Sequence, residues 1–488
     1  MKQVAPARGI QLTGWAAVAI GVGAIAATLD FLAAGAGVPS VFGGVASVIA
    51  ALGGATLLWR WEPRLRPALD RVGAALLRTD PVVFLAAVLA VGVALRVAWC
   101  LACSPAQTTD YGVYFDLARR VARGAGYFDP GPPANHAFWP PGYPLLLAGP
   151  MWLTDGAAWT PLALNLGLFA VAVVATHALG VRGGLPAAGR FAAIALAVWP
   201  NLVAYSGLAA KEHLSLALLP LALLGWLVGR RVHTLLAVGL AVGYLALAQG
   251  TWLLLPGVLA VYGLLSGDRW RTVLRRVAPV LVGMALVIGP WAARNAVVLH
   301  APVLLTTNAG PNLHRGNREG ARGDYSPMAA DALPGKDELE RSRRGRDLAI
   351  GWMRAHPLEV VGLSFAKMGF LLGDDTNSLY DALRHPYGVD DTVYAALKIG
   401  FTLFWLCIWA LVLLAIARAG PEALARSWLL LPLLCLLNIM AVHSIFHAIG
   451  RFHVPIAGVL ALLAGWAFSR GARPEARPRA GGDQRPTA

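Results

Sequence analysis

The chain has 488 residues, of which 57% are hydrophobic and only 14% charged, and its mean hydropathy is +0.60, whereas a soluble domain carries roughly 25% charged residues. This balance excludes an ordinary soluble enzyme and points to a polytopic membrane protein whose length converts into spans of about 20 apolar residues each. The net charge of +15 is scattered over short loops, which excludes nucleic-acid binding as its meaning.

In chain order, Lys2 and Arg8 precede an apolar stretch that runs toward Gly35, too long for a cleavable signal, so a retained first helix is expected. Segments 10–35 and 39–59 predict a hairpin, an N-terminal addition within 1–80 that ends in a basic linker carrying Arg60, Arg64, Arg66, Arg71 and Arg78. A core follows over 81–294. Its first span, Val82–Cys103, delivers a polar outer loop at 104–141, and Gly142–Leu153 is too short to span and predicts an interfacial helix. Further spans are expected at 157–180, 187–206, 212–229, 234–249, 251–266 and 276–293.

Residues 295–394 form a long outer region that should hold its own helices, here Lys336–Met353 and Leu358–Leu372. The last spans, 395–417, 427–446 and 453–469, lie within 395–470, and the Arg-, Pro- and Gly-rich tail 471–488 reads as disordered. The expected fold class is therefore an all-α membrane bundle of about twelve spans at that length per span. Placing the basic clusters on the cytoplasmic side, among them Arg182, Arg190, Arg230, Arg231, Arg269, Arg275, Arg418 and Arg426, gives a topology that alternates throughout. Both termini are then cytoplasmic, with the bacterial inner membrane as the expected location. Cys100, Cys103, Cys407 and Cys435 show no ligand or disulfide spacing.

The polar residues worth chemistry crowd the outer ends of the spans. Asp110 opens a segment in which Tyr111, Tyr114, Phe115 and Ala118 recur at helical spacing, predicting a flat amphipathic helix with an acid at its start. Asp110 is then either a first-turn acid favoured by the helix dipole or a catalytic base. Phe138-Trp139-Pro140-Pro141-Gly142-Tyr143-Pro144 reads as a rigid turn in an aromatic belt. Lys211-Glu212-His213 opens an inward span, and ionisable groups at such depth either pair locally or mark a site.

Arg294-Asn295 closes an outward span, and the loop carrying Asn312, His314 and Arg315 can present donors to phosphate or to sugar hydroxyls. His443 and His447 share a helix face without an evident third zinc ligand, whereas Arg451 offers a guanidinium fork suited to phosphate. The paired carboxylate Asp374-Asp375, with Asp390-Asp391 behind it, is a rival candidate, and solvated surface is the expected default for each pair. The sequence holds no Walker loop, dinucleotide fingerprint, nucleophile elbow or Cys/His metal framework.

Taken in order, these pieces resemble the polyprenyl-phosphate-sugar-dependent GT-C glycosyltransferases, in the branch of protein O-mannosyltransferases, aminoarabinose transferases and Rgt-type lipopolysaccharide sugar transferases. The resemblance runs over about Val82 to Arg470 and rests on Asp110 with its tyrosine-bearing helix, Pro140-Pro141-Gly142-Tyr143-Pro144, Lys211-Glu212, Pro290-Trp291 with Arg294-Asn295, Gly310 with Asn312, and Arg451-Phe452 with Pro455. It implies inverting transfer of a sugar from a polyprenyl-phosphate carrier to an acceptor hydroxyl on a glycan, lipid or protein at the outer face. In that frame Asp110 is the general base, Lys211, Arg294 and Arg451 stabilise the leaving phosphate, and Glu212 orients the acceptor or a metal.

Relatives often carry a basic residue where Trp139 stands, so the resemblance directs the phosphate grip to His136, His314 and Arg315, with Tyr114, Trp139 and Tyr143 lining the substrate site. No cofactor is required by this reading; a divalent metal is the one candidate, with its ligands unknown. The competing readings are a lipid-linked sugar flippase or small-solute transporter, which would need a polar path at mid-membrane, and a non-catalytic relative that binds the carrier as a scaffold.

Overall fold

The computed structural model describes residues 8–35, 40–131, 134–325, 333, 335–384 and 387–469. Lys2 and the tail 471–488 lie outside the described residues. The described chain is helical, and its sole β feature is an isolated antiparallel bridge between Asp129 and Asn135.

A hairpin of α1 (Arg8–Gly35) and α2 (Ser40–Leu76) leads into α3 (Pro81–Cys103), α4 (Thr109–Ala122) and α5 (Gly142–Leu153). The core continues through α6 (Thr160–Arg182), α7 (Pro186–Val198), α8 (Pro200–Ala204), α9 (Glu212–Val228), α10 (Val232–Ala248), α11 (Leu255–Leu265) and α12 (Trp270–Leu299). Four helices follow over the expected outer region: α13 (Ala309–Gly316), α14 (Glu338–Ala355), α15 (Pro357–Gly373) and α16 (Asn377–Leu379). The chain closes with α17 (Asp391–Ala419), α18 (Pro421–Arg426), α19 (Leu430–Ile445), a 3-10 turn at Gly450–Ile456, and α20 (Ala457–Gly465).

Among the described residues, six helices are long and apolar enough to cross a membrane, or seven if the pair α7–α8, bent by 47°, is one span. The expected twelve full-length spans are not reached among the described residues: the segments at 212–229, 234–249, 251–266 and 427–446 fold as shorter apolar helices of 10–17 residues, and the one at 39–59 falls in α2, which is not among the candidate spans. A 17-residue helix rises about 26 Å, short of the roughly 30 Å hydrocarbon core. The short helix expected at Gly142–Leu153 and the two expected at Lys336–Met353 and Leu358–Leu372 fall within two residues of those bounds.

The bend at Trp199–Pro200 has a local cause and a distant remedy. Pro200 cannot donate to the carbonyl four residues back, and Arg96 on α3 supplies donors instead, from Nη2 to Leu196 O at 2.9 Å and from Nη1 to Ala197 O at 2.9 Å. The Arg96 guanidinium also stacks over the Phe169 ring at 3.7 Å.

The loops sort to two ends. At one, Arg190 donates to Leu76 O and Thr79 O, Arg418 pairs with Asp70, and Trp428 Nε1 donates to Gly183 O, so basic loops far apart in sequence lie together. At the other, the starts of α4, α9 and the Gly450 turn meet the ends of α10, α12 and α19. Close backbone contact needs glycine here: a Cβ on Gly450 would stand 1.9 Å from Asp374 O, and one on Gly310 1.8 Å from Ser342 O.

Candidate active site

Asp110 sits in the first turn of α4, whose inner face buries Tyr111, Tyr114, Leu117 and Ala118. Leu117 takes the place that the sequence pattern gave to Phe115, which stays half-buried. Thr108 makes no side-chain capping bond, and Thr109 carries a φ of +53°, a left-handed conformation uncommon for a β-branched residue. The Asp110 carboxylate does not cap its own helix; it pairs with Arg451, Nη2 to Oδ2 at 2.8 Å.

Arg451 gathers the cluster. Its Nε stands 3.1 Å from Glu212 Oε1 without hydrogen-bond alignment, its Nη1 donates to the Tyr111 hydroxyl at 3.1 Å, and its backbone N–H donates to Asn377 Oδ1 at 2.9 Å. Tyr111 in turn donates to Asp381 Oδ2 at 2.7 Å. Glu212 is buried, and its Oε2 has no partner among the described residues. Burial pushes the Asp110 carboxyl up, but the Arg451 charge and hydrogen bond, with Lys211 and Arg315 behind them, hold it below the usual carboxylate value. Burial raises Asp381, with the Tyr111 hydrogen bond opposing. Lys211, at the start of α9, is lowered by burial, and Glu212 works against that shift.

Lys211 also forms part of the wall of a cavity of about 630 Å³. Its apolar side is built from Leu253, Leu254, Val303, Leu304 and Leu305, and its polar side includes Gln249, Asn312, His443 and His447. Phe452, next to Arg451, joins the cavity to the Asp110 cluster, stacking on His443 with ring centroids 4.4 Å apart. Arg315, braced on Asn312 Oδ1 at 3.1 Å and lying over the Tyr325 ring, is among the charges acting on Asp110. His314 Nδ1 is buried and unpartnered among the described residues.

Other expected site residues brace the first loop. Arg294 donates to Tyr127 O at 2.6 Å and His136 O at 2.7 Å, so its guanidinium is committed to backbone oxygens. The His136 ring stacks on Phe128, and the backbone N–H of His136 donates to Glu338 Oε1 at 2.7 Å. Trp139 Nε1 donates to Asp129 at 3.1 Å, and its ring meets Tyr114 edge-on at 5.8 Å. The Tyr143 hydroxyl donates to Asn165, whose amide holds Ser206 O and Leu208 O just ahead of Lys211.

Asp374 and Asp375 do not form the solvated surface expected of them. Asp375 is 2% exposed and accepts from Trp199 Nε1 and Asn201 Nδ2, with His453 Nε2 at 2.9 Å. The reversal is tertiary: the turn after α15 docks onto the α7–α8 bend and buries a carboxylate that local polarity placed in water. Asp390 does stay exposed, capping α17. Asp381 and Asn377 were not legible as site residues, and Asp375 stood out only as half of an acidic pair, since no spacing in their stretch links them to 111, 199 or 451.

No family model and no curated protein matches the sequence. Among solved structures the chain is similar to the archaeal oligosaccharyltransferase AglB from Archaeoglobus fulgidus in complex with an inhibitory peptide and a dolichol-phosphate, at 13% identity and a TM-score of 0.45. That match covers 79% of this chain and 50% of the other, so the chain spans about half the length of the oligosaccharyltransferase. It is also similar to ArnT from Cupriavidus metallidurans bound to undecaprenyl phosphate, at 17% identity and a TM-score of 0.39, over 80% of this chain and 77% of the other.

Proposed function

We propose that the protein is an inverting glycosyltransferase that moves a sugar from a polyprenyl-phosphate carrier to an acceptor hydroxyl at the outer face of the membrane. The observation that carries this reading is the carboxylate of Asp110, held ionised on Arg451 at 2.8 Å beside a cavity that has one apolar side and Lys211 in its wall.

An ionised carboxylate at that place can accept the proton of an acceptor hydroxyl as its oxygen attacks the anomeric carbon from the face opposite the carrier. The new bond joins acceptor oxygen to C1, the C1–O bond to phosphate breaks, and polyprenyl phosphate leaves with the bonding pair. Lys211 supplies positive charge where that phosphate charge develops, with Arg315 as a second cation acting on the same centre. The apolar side suits the carrier's prenyl chain. Gathering of the basic loops at the opposite end favours an outward-facing site with that end in the cytoplasm.

The residues present do not fit a bound divalent metal, because Asp110 and Glu212 both lean on one guanidinium. Among the described residues, no three His, Cys, Asp or Glu side chains converge as ligands. A transporter reading finds no support at Arg96, whose charge is capped by carbonyl oxygens.

The test is release of polyprenyl phosphate from a panel of polyprenyl-phosphate sugars by the protein in lipid, with envelope extract as acceptor source. Wild type should release it from at least one sugar, and Asp110→Asn should be slower by about 10²-fold or more, the range for a lost general base. Equal rates for the two would remove Asp110 from the chemistry.

A further inference from the structure

The lining of the cavity beside Lys211 contains no acid among the described residues; its charged groups are Lys211, Arg343 and Arg346, all cationic. The carboxylates in the neighbourhood are engaged elsewhere. Glu338 accepts from the His136 and Ala137 N–H groups and the Thr307 hydroxyl, Asp110 and the Oε1 of Glu212 lie on Arg451, and Asp347 pairs with Arg346; Glu212 Oε2, outside the lining, has no partner among the described residues.

Unpartnered neutral groups are also present. Gln249 is only 5% exposed, yet neither its Nε2 nor its Oε1 has a hydrogen-bond partner among the described residues. His443 Nε2 and His447 Nδ1 are buried and unpartnered in the same way, and all three residues line the cavity. Their backbone is fixed: Asn438, five residues before His443, donates to Thr251 O, and Gly142 packs directly on Ala248 N.

Burying an unpaired polar group costs about 1–3 kcal/mol, so several of them on residues that line one cavity mark where a ligand can supply the partners. The Gln249 amide offers two N–H donors and an acceptor, and each imidazole nitrogen is a donor or an acceptor according to tautomer. This set matches a group that both donates and accepts at adjacent positions, as ring hydroxyls or an acetamido group do. An ammonium would meet Lys211 and Arg343 with no carboxylate in the lining to pair with it, and the acid beside Arg346, Asp347, is already paired with that guanidinium at 3.1 Å.

We propose that Gln249, His443 and His447 read the transferred sugar as a neutral polyhydroxylated ring, and that the cavity rejects sugars bearing a free ammonium. This inference rests on the glycosyl-transfer reading and names its substrate class.

The experiment measures equilibrium binding to the full chain in lipid nanodiscs, by competition against radiolabelled polyprenyl phosphate. The competitors are bare polyprenyl phosphate, a polyprenyl-phosphate hexose, and a polyprenyl-phosphate aminodeoxyhexose. The hexose carrier should bind about tenfold or more tighter than the bare carrier, within the range that a site's hydrogen bonds discriminate, and the aminodeoxyhexose carrier no tighter than the bare one. Gln249→Leu should bring the hexose-to-bare ratio close to one, and Gln249→Glu should raise affinity for the ammonium-bearing carrier. Equal binding of the two sugar carriers to wild type, or the wild-type ranking in both variants, overturns the proposal while leaving glycosyl transfer standing. Failure of every carrier to bind, the bare one included, overturns the glycosyl-transfer reading and the sugar inference with it.

Discussion

Asp110 and Arg451, 341 positions apart in the chain, form an ion pair of 2.8 Å one residue along the chain from Phe452 in the cavity wall. The pair joins the first turn after α3 to the turn before the last helix.

The pH dependence of activity should report this pair. Asp110 titrates below its ordinary value in the folded state, so the pair's contribution is complete above that ordinary value and lost as pH falls through the depressed one. The acid limb of the rate profile is therefore expected below the usual carboxylate range. In Arg451→Met the burial that pushes Asp110 upward is less opposed, and the acid limb should move to higher pH. A limb at the same pH in both proteins would show that another group controls it.

Arg294 is expected to hold the first loop in place rather than the carrier. Arg294→Met leaves the Tyr127 and His136 carbonyls without their donor, a loss of about 1–3 kcal/mol for each group left unsatisfied. Amide exchange over residues 127–139 should accelerate, with a smaller loss of affinity for bare polyprenyl phosphate. Weakened carrier binding with unchanged exchange would return Arg294 to the phosphate.

Removing the buried Asp375 carboxylate should be among the most damaging single changes. Asp375→Ala orphans donors on Trp199 and Asn201 and the contact to His453, and each buried polar group left unsatisfied typically costs about 1–3 kcal/mol. Asp375→Asn, which keeps shape and one acceptor, should be milder. Thermal unfolding in detergent orders wild type, Asn and Ala, and an Ala variant as stable as wild type would contradict the network.

Lys367 is fully buried on α15 and donates to Asn317 Oδ1 at 2.9 Å and Ile445 O at 3.1 Å, with no acidic partner among the described residues. Burial pulls its ammonium down to about 8, from 10.5. The unfolded chain then binds the proton more tightly, so this junction gains stability as pH rises from about 8 toward 10.5. Exchange protection at 313–323, corrected for base catalysis, should increase over that interval in wild type and stay flat in Lys367→Met.

The ends of the spans were the legible part of the site. Asp110, Lys211, Glu212 and Arg451 stand out in sequence because ionisable groups beside long apolar runs are expensive, and the structure brings those four together. The short helices at 212–228 and 232–248 were harder to read, because hydropathy reports that a segment is apolar and not how deep it sits. Arg294 illustrates a second limit: a guanidinium serves carbonyl oxygens as readily as phosphate, and only the fold reveals which it meets. Asp375 illustrates a third, since its burial depends on docking against Trp199 and Asn201, which local sequence does not encode.

The span between Asp110 and its guanidinium partner has a consequence for biosynthesis. Asp110 is synthesised early, while Arg451 emerges only with the last of the described helical segments. Until that segment inserts, the nascent protein holds a carboxylate without its counter-ion and a cavity lacking Phe452 and His447 in its wall. A chain arrested at the ribosome before that point would lack the Asp110–Arg451 pair, so this part of the site is completed only as synthesis ends its last described segment.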